Sequence, residues 1–317
     1  MGTASARRSK HRLPLAAGGS DIEPGSSRDS QGWEILTFHK TAWTRWIMLP
    51  VAVATATTVL AAMPAHATQA RATRTSAVDA QVASCQAMRV VAHRGYHHRR
   101  TENTMGAFRA AVRRGAHAIE TDMRTTRDNK IVLMHDRTIG RTTRGSGRVA
   151  RMTGREIRRV RTEDGGRVPY VVNALRYLRH RSRLDGVLQM KRMTPTSLRR
   201  LRFQLLRTRT VTQVTLTSTR RTLLRRARRV MPEVDRVRIT WSPVRPRRAR
   251  RLVSGVMMPL WRLTPERVRN YRRLGLGVGA MTVDRPRLWR RLALVGIQTV
   301  STNAVSRFRR FCRRVTG

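Results

Sequence analysis

Eight short apolar runs, at residues 88–92, 117–122, 186–190, 211–216, 237–241, 253–260, 278–283 and 299–301, constrain this chain more than any other feature. Basic stretches of helical character separate them, so strands and helices are expected to alternate. That alternation predicts a parallel sheet with its helices packed outside, the α/β class. Eight strands are what a (β/α)8 TIM barrel requires, with residues 130–167 forming an excursion after the second strand.

Ligands gather at the carboxyl ends of parallel strands, and there this sequence concentrates its chemistry. The first run delivers His93, Arg94 and Gly95. A polar turn follows, and Asn103 is placed to cap a helix through about residue 114, with Ala107, Phe108, Ala111 and Val112 on one face and Gly115 ending it. The second run presents Glu120 and Asp122, two residues apart and therefore on the same side of a strand. Within the excursion, a further apolar run at 131–134 delivers His135 and Asp136. Two imidazoles beside a same-side carboxylate pair suit a hard divalent cation with an acid and a base flanking a phosphate ester. Arg94 adds a forked donor for phosphate oxygens.

In order along the chain stand His93-Arg94-Gly95, Thr101-Glu102-Asn103-Thr104, Ala107-Phe108, Gly115-Ala116, Ile119-Glu120-x-Asp122, Thr126-x-Asp128, His135-Asp136 and Arg141-x-Thr143. This series resembles the signature of the glycerophosphodiester phosphodiesterase family. The resemblance implies a TIM barrel with an excursion at the same place and a metal-dependent hydrolase of glycerophosphodiesters. It implies His93 and His135 as general acid and base, their order left open, and Arg94 and Lys191 as phosphate ligands. Glu120 and Asp122 are the implied ligands of Ca2+ or Mg2+. Glu102 and Asn103 are supporting residues, divided between helix capping and a direct site role.

Several positions depart from the family pattern. Where the third strand usually reads E-x-K, this chain has Gln189-Met190-Lys191, so a neutral amide stands where a third charged metal ligand is expected. Thr101 replaces a proline, and Val172 and Asn173 replace acidic residues. Met281 replaces a tryptophan, and Thr302-Asn303 replaces a Thr-Asp, removing a carboxylate at the mouth of the last strand. Two other readings therefore stay open. One is a phospholipase D-like lipid-cleaving relative; the other is a catalytically impaired barrel that binds anionic wall polymer.

Residues 1–45 read as a disordered or charged leader, 46–67 as the apolar core and cleavage site of a secretory signal, 68–86 as a linker and 87–317 as the barrel. Cleavage is expected after Ala65-His66-Ala67, and the alternative is an uncleaved membrane anchor. An exported protein can keep disulfides, and Cys85 and Cys312 are expected to staple the ends of the barrel. The net charge of +49 points to a polyanionic neighbour such as a cell-wall or membrane surface, in addition to a small or polymeric phosphodiester substrate. The few aromatic residues do not interleave with the basic runs, which argues against specific nucleic-acid binding.

Overall fold

The computed structural model describes residues 88–316. Its strands are β1 (Arg89–Ala92), β2 (Ala118–Thr125), β3 (Ile131–Leu133), β4 (Asp185–Arg192), β5 (Val214–Ser218), β6 (Asp235–Ile239), β7 (Gly255–Met258), β8 (Gly277–Ala280) and β9 (Thr299–Thr302). All but β3 are parallel, and β1 pairs with both β9 and β2, so the sheet closes into an eight-stranded barrel. This is the expected (β/α)8 architecture. β3 runs antiparallel to the extension of β2 beyond the barrel, pairing Leu133 with Met123 and Ile131 with Thr125. It founds the expected excursion, which has a small core of its own around Val132, Ile139, Val149 and Ile157.

The two-residue period of a strand explains why the site lies where it does. The lower half of the barrel interior is apolar, filled by Val91, Ala118, Val187, Val237, Ile239 and Met257. One inward step further along the same strands stand His93, Glu120, Gln189 and then Asp122 and Lys191. The opposite faces of the strands bury a larger core against the helices, including Phe108, Leu175, Leu201, Tyr271 and Trp289.

Some boundaries differ from the sequence expectation. Residues 211–213 form a 3-10 turn, and the strand begins at Val214. The run at 253–260 is a strand only over Gly255–Met258, because Pro259 has no N–H to continue the ladder. Trp241 lies past the end of β6 and is exposed. The helix Met105–Arg113 is capped by Thr104, whose side chain accepts from the Ala107 N–H; Asn103 is occupied elsewhere. Cys312 is buried and is not a free thiol, whereas Cys85 lies outside the described residues, as do the expected leader, signal and linker. Among the described residues no helix is long and apolar enough to cross a membrane.

At the amino-terminal end of the barrel, His117 Nδ1 accepts the Val90 N–H at 3.0 Å, which requires the neutral ring. Burial, together with the Arg309 and Arg89 guanidinium groups, lowers its pKa to about 4. The unfolded chain protonates this histidine first as pH falls, so its contribution is complete above about pH 6.5 and is lost towards pH 4. Asparagine can present an acceptor near the same place without titrating. In urea unfolding, the stability lost between pH 7 and 4.5 is expected to be smaller in His117→Asn than in the parent by about 2 kcal/mol, allowing for partial exposure. Equal losses would remove this role for His117.

Candidate active site

The turn after β1 is built from unusual backbone. Arg94, Gly95 and Asn103 all have positive φ, at 56°, 80° and 57°. A Cβ on Gly95 would stand 2.9 Å from the Ala107 carbonyl carbon and 2.9 Å from its Cβ, so the turn can sit on the following helix only with glycine there. Gly95→Ala is expected to lose about 2–4 kcal/mol from strain and overlap combined, read as a lowered denaturation midpoint. The left-handed Arg94 is offset by what it gains. Its N–H donates to Glu120 Oε2 at 2.9 Å, its Nη1 donates to Glu102 at 3.1 Å, and its Nε lies 3.4 Å from Asp122 Oδ2.

His93 is held from the last strand. Its N–H donates to the Thr302 carbonyl at 3.1 Å, and its Nδ1 lies 2.9 Å from Asn303 Oδ1. Asp284 settles the protons. Its carboxylate accepts from Asn303 Nδ2 at 2.7 Å, from the Asn303 N–H at 2.7 Å and from Thr302 Oγ1 at 2.9 Å. With Nδ2 committed to Asp284, the Asn303 oxygen faces the imidazole, so Nδ1 is the donor, and in the neutral ring Nε2 keeps its lone pair. Burial and the neighbouring Arg94 charge lower the His93 pKa, against a smaller upward pull from Asn303. The carboxylate thought to be lost at Thr302-Asn303 is therefore supplied from behind, by Asp284.

Glu120 and Asp122 are both buried on the inward face of β2. Burial, reinforced by Asp122, raises the Glu120 pKa to about 8. Asp122 Oδ2 accepts from Asn103 Nδ2 at 3.1 Å, while Asn103 Oδ1 accepts from the Asp122 N–H at 3.0 Å and Thr121 Oγ1 at 2.6 Å. Asn103 thus pins β2 to the β1 turn, and of the two roles open to it the helix cap is taken by Thr104 instead. Lys191 Nζ lies 3.3 Å from Asp122 Oδ1, close enough for an ion pair, yet that buried oxygen has no hydrogen-bond partner. Gln189 stands opposite Asp122 in the β2–β4 register.

Among the described residues no group of three or more His, Cys, Asp or Glu is disposed to hold a metal, and the position opposite Asp122 on β4 is a glutamine. The donor set still fits a hard cation. Glu120, Asp122 and the Gln189 amide offer oxygen donors, and Asp122 Oδ1, although within ion-pair distance of Lys191, is buried without a hydrogen bond.

His135 comes from the excursion, with Nδ1 2.7 Å from Asp136 Oδ1. Arg124 donates through Nε to its backbone carbonyl at 2.9 Å. Arg141 ties this side to the rest, donating to Asp136 Oδ2 and to Glu102 Oε1. The chain Arg94, Glu102, Arg141, Asp136, His135 is continuous. Arg141 and Asp136 lie within the motifs that carry the family resemblance, and the alternation of sign between them is the sequence signal for this chain of contacts. For Asp284 the only sequence signal is a carboxylate shortly after an inward-facing strand.

The family model for the glycerophosphoryl diester phosphodiesterase family matches residues 93–307. Among curated proteins, glycerophosphodiester phosphodiesterase 1 of Homo sapiens is 42% identical over 88 residues, which is 25% of this chain and 27% of that protein. The glycerophosphodiester phosphodiesterase of Caldanaerobacter subterraneus is 44% identical over 71 residues, 22% of this chain and 29% of that protein. These alignments span little more than a quarter of the relatives' length. Among solved structures, a glycerophosphodiester phosphodiesterase from Parabacteroides distasonis superposes with a TM-score of 0.66 at 20% identity, over 73% of this chain and 98% of the other. A phosphodiesterase from Oleispira antarctica, in complex with the product sn-glycerol-3-phosphate, gives a TM-score of 0.64 at 19% identity, over 71% and 96%. At these identities the two structures support the fold.

Proposed function

The chain belongs to the glycerophosphoryl diester phosphodiesterase family, and from that premise we propose that it hydrolyses glycerophosphodiesters to glycerol phosphate and an alcohol. The observation that carries the reading is His93, its Nδ1 fixed on Asn303 by Asp284 and its pKa lowered by burial and Arg94, beside a basic and carboxylate cluster suited to a phosphodiester. Arg94 and Lys191 bind the phosphoryl oxygens and balance the charge that grows on them in the transition state. His93 Nε2 takes a proton from the attacking water, or from the glycerol hydroxyl next to the ester. His135, held by Asp136, gives a proton to the departing alkoxide. Glu120 and Asp122, with the Gln189 amide oxygen, would hold Ca2+ or Mg2+, which when bound draws electron density from the phosphoryl group. Glycerol phosphate as one product agrees with the ligand of the Oleispira antarctica protein.

The proposal extends to an exported protein, on the signal-like segment at 46–67, and to an anionic wall or membrane surface attracted by the charge of +49. The test is hydrolysis of glycerophosphocholine with Ca2+, with Mg2+ and with chelator. Release of glycerol phosphate that stops with chelator is the expected result. No release with either metal would overturn the reading.

A further inference from the structure

A cavity of about 290 Å3 opens at the carboxyl ends of β2, β4 and β5, under the excursion. That is near the lower end of the ~300–1,000 Å3 typical of small-ligand sites. Its wall carries Arg124, Arg137, Arg148, Lys191, Arg192 and Arg220, with no acidic residue among its lining. Arginines are abundant over this whole protein, so charge alone would assign nothing. Position singles this cavity out. Lys191 belongs both to its wall and to the Asp122 ion pair, and Arg124 donates to the carbonyl of His135. Of the six, only Lys191 makes an ion pair among the described residues. The cavity therefore adjoins the proposed reaction centre through Lys191, and its wall touches the His135 backbone through Arg124.

We infer that this cavity is a second anion subsite, which takes a phosphate carried by the leaving alcohol of the substrate. The inference rests on the proposed phosphodiesterase activity and on His135 acting at the leaving group. One diester phosphate is served by Arg94, Lys191 and the carboxylate side of the site, which leaves the remaining guanidinium groups facing a space of their own. With Arg124 turned to the His135 carbonyl, the four guanidinium groups of Arg137, Arg148, Arg192 and Arg220, with no carboxylate among the lining, match a dianion better than a neutral choline- or glycerol-like headgroup. The substrate class is thus a glycerophosphodiester whose alcohol bears a further phosphomonoester.

The experiment compares glycerophosphoglycerol with the same diester phosphorylated on the distal glycerol. The parent is measured beside Arg137→Ala/Arg220→Ala, and beside Arg250→Ala/Arg251→Ala, which removes equal charge at the opposite end of the barrel. In the parent and the Arg250/Arg251 variant, kcat/KM is expected to favour the phosphorylated diester by about tenfold or more, mainly through KM. In the Arg137/Arg220 variant that preference is expected to disappear, with the rate on glycerophosphoglycerol unchanged. A parent without preference, or the same loss in both variants, would overturn the subsite and leave the phosphodiesterase reading standing. If neither diester is hydrolysed, the proposed activity fails, and calorimetry with glycerol 1,3-bisphosphate decides the subsite separately. Binding weakened only by the Arg137/Arg220 pair supports it, and binding that is absent or equal in all three proteins overturns it.

Discussion

His93→Ala is expected to lower kcat/KM for glycerophosphocholine by about 10²–10⁴-fold, the range for loss of a positioned general base. The fold should survive, because the His93 backbone bond to Thr302 does not need the ring, and an unchanged thermal midpoint would verify that. The assignment gains a second handle from Asp284. If that carboxylate fixes the Asn303 amide, and the amide fixes the imidazole tautomer, Asp284→Asn should lower kcat with little change in KM, since the ring then turns freely between productive and unproductive states. The pH profile supplies a third. Burial and Arg94 lower the His93 pKa, so the acid limb of kcat/KM should fall below pH 6.5, and the parent should remain active where an ordinary histidine base would already be protonated. Full activity in His93→Ala would sink the assignment.

The parts of this molecule that follow local rules were legible in its sequence. Strand period alone puts Glu120 and Asp122 on one face, and the structure has them there, with Asp122 opposite Gln189. The count of apolar runs closed the barrel correctly because each run had to be buried on both sides. Of the two roles open to Asn103, helix capping and a place in the site, the structure does not give it the cap, for a physical reason. A side chain that precedes a helix normally caps it, but a positive φ turns this one away from the helix and onto β2, leaving Thr104 to cap. Asp284 and Asn303 are separated along the chain and meet only because the ends of β8 and β9 lie together, so no local pattern announces the pair. The same holds for the link from His135 to Arg94 through Arg141 and Glu102, which needs the excursion folded over the first turn.

Asp122→Ala should be the most damaging change on the carboxylate side. This residue is 1% exposed and serves three partners, taking a hydrogen bond from Asn103 and lying within ion-pair distance of Arg94 and Lys191. Removing one member of a buried ion pair costs about 3–5 kcal/mol, because the other charge is left unpaired. Here part of that is recovered. Asp122 is one of the causes that raise the Glu120 pKa, so in its absence Glu120 ionises more readily and takes up some of the freed positive charge. A loss of about 2–3 kcal/mol in urea unfolding is therefore expected. Activity should suffer more, by about 10²–10³-fold in kcat/KM, since Arg94 and Lys191 lose their common anchor and the proposed cation site would lose a ligand. Asp122→Asn separates shape from charge. It can keep the hydrogen bond to Asn103 after an amide rotation, so stability should recover in part while activity does not. Activity that recovers along with stability would show Asp122 to be a structural strut and would move the reaction centre elsewhere in the barrel mouth.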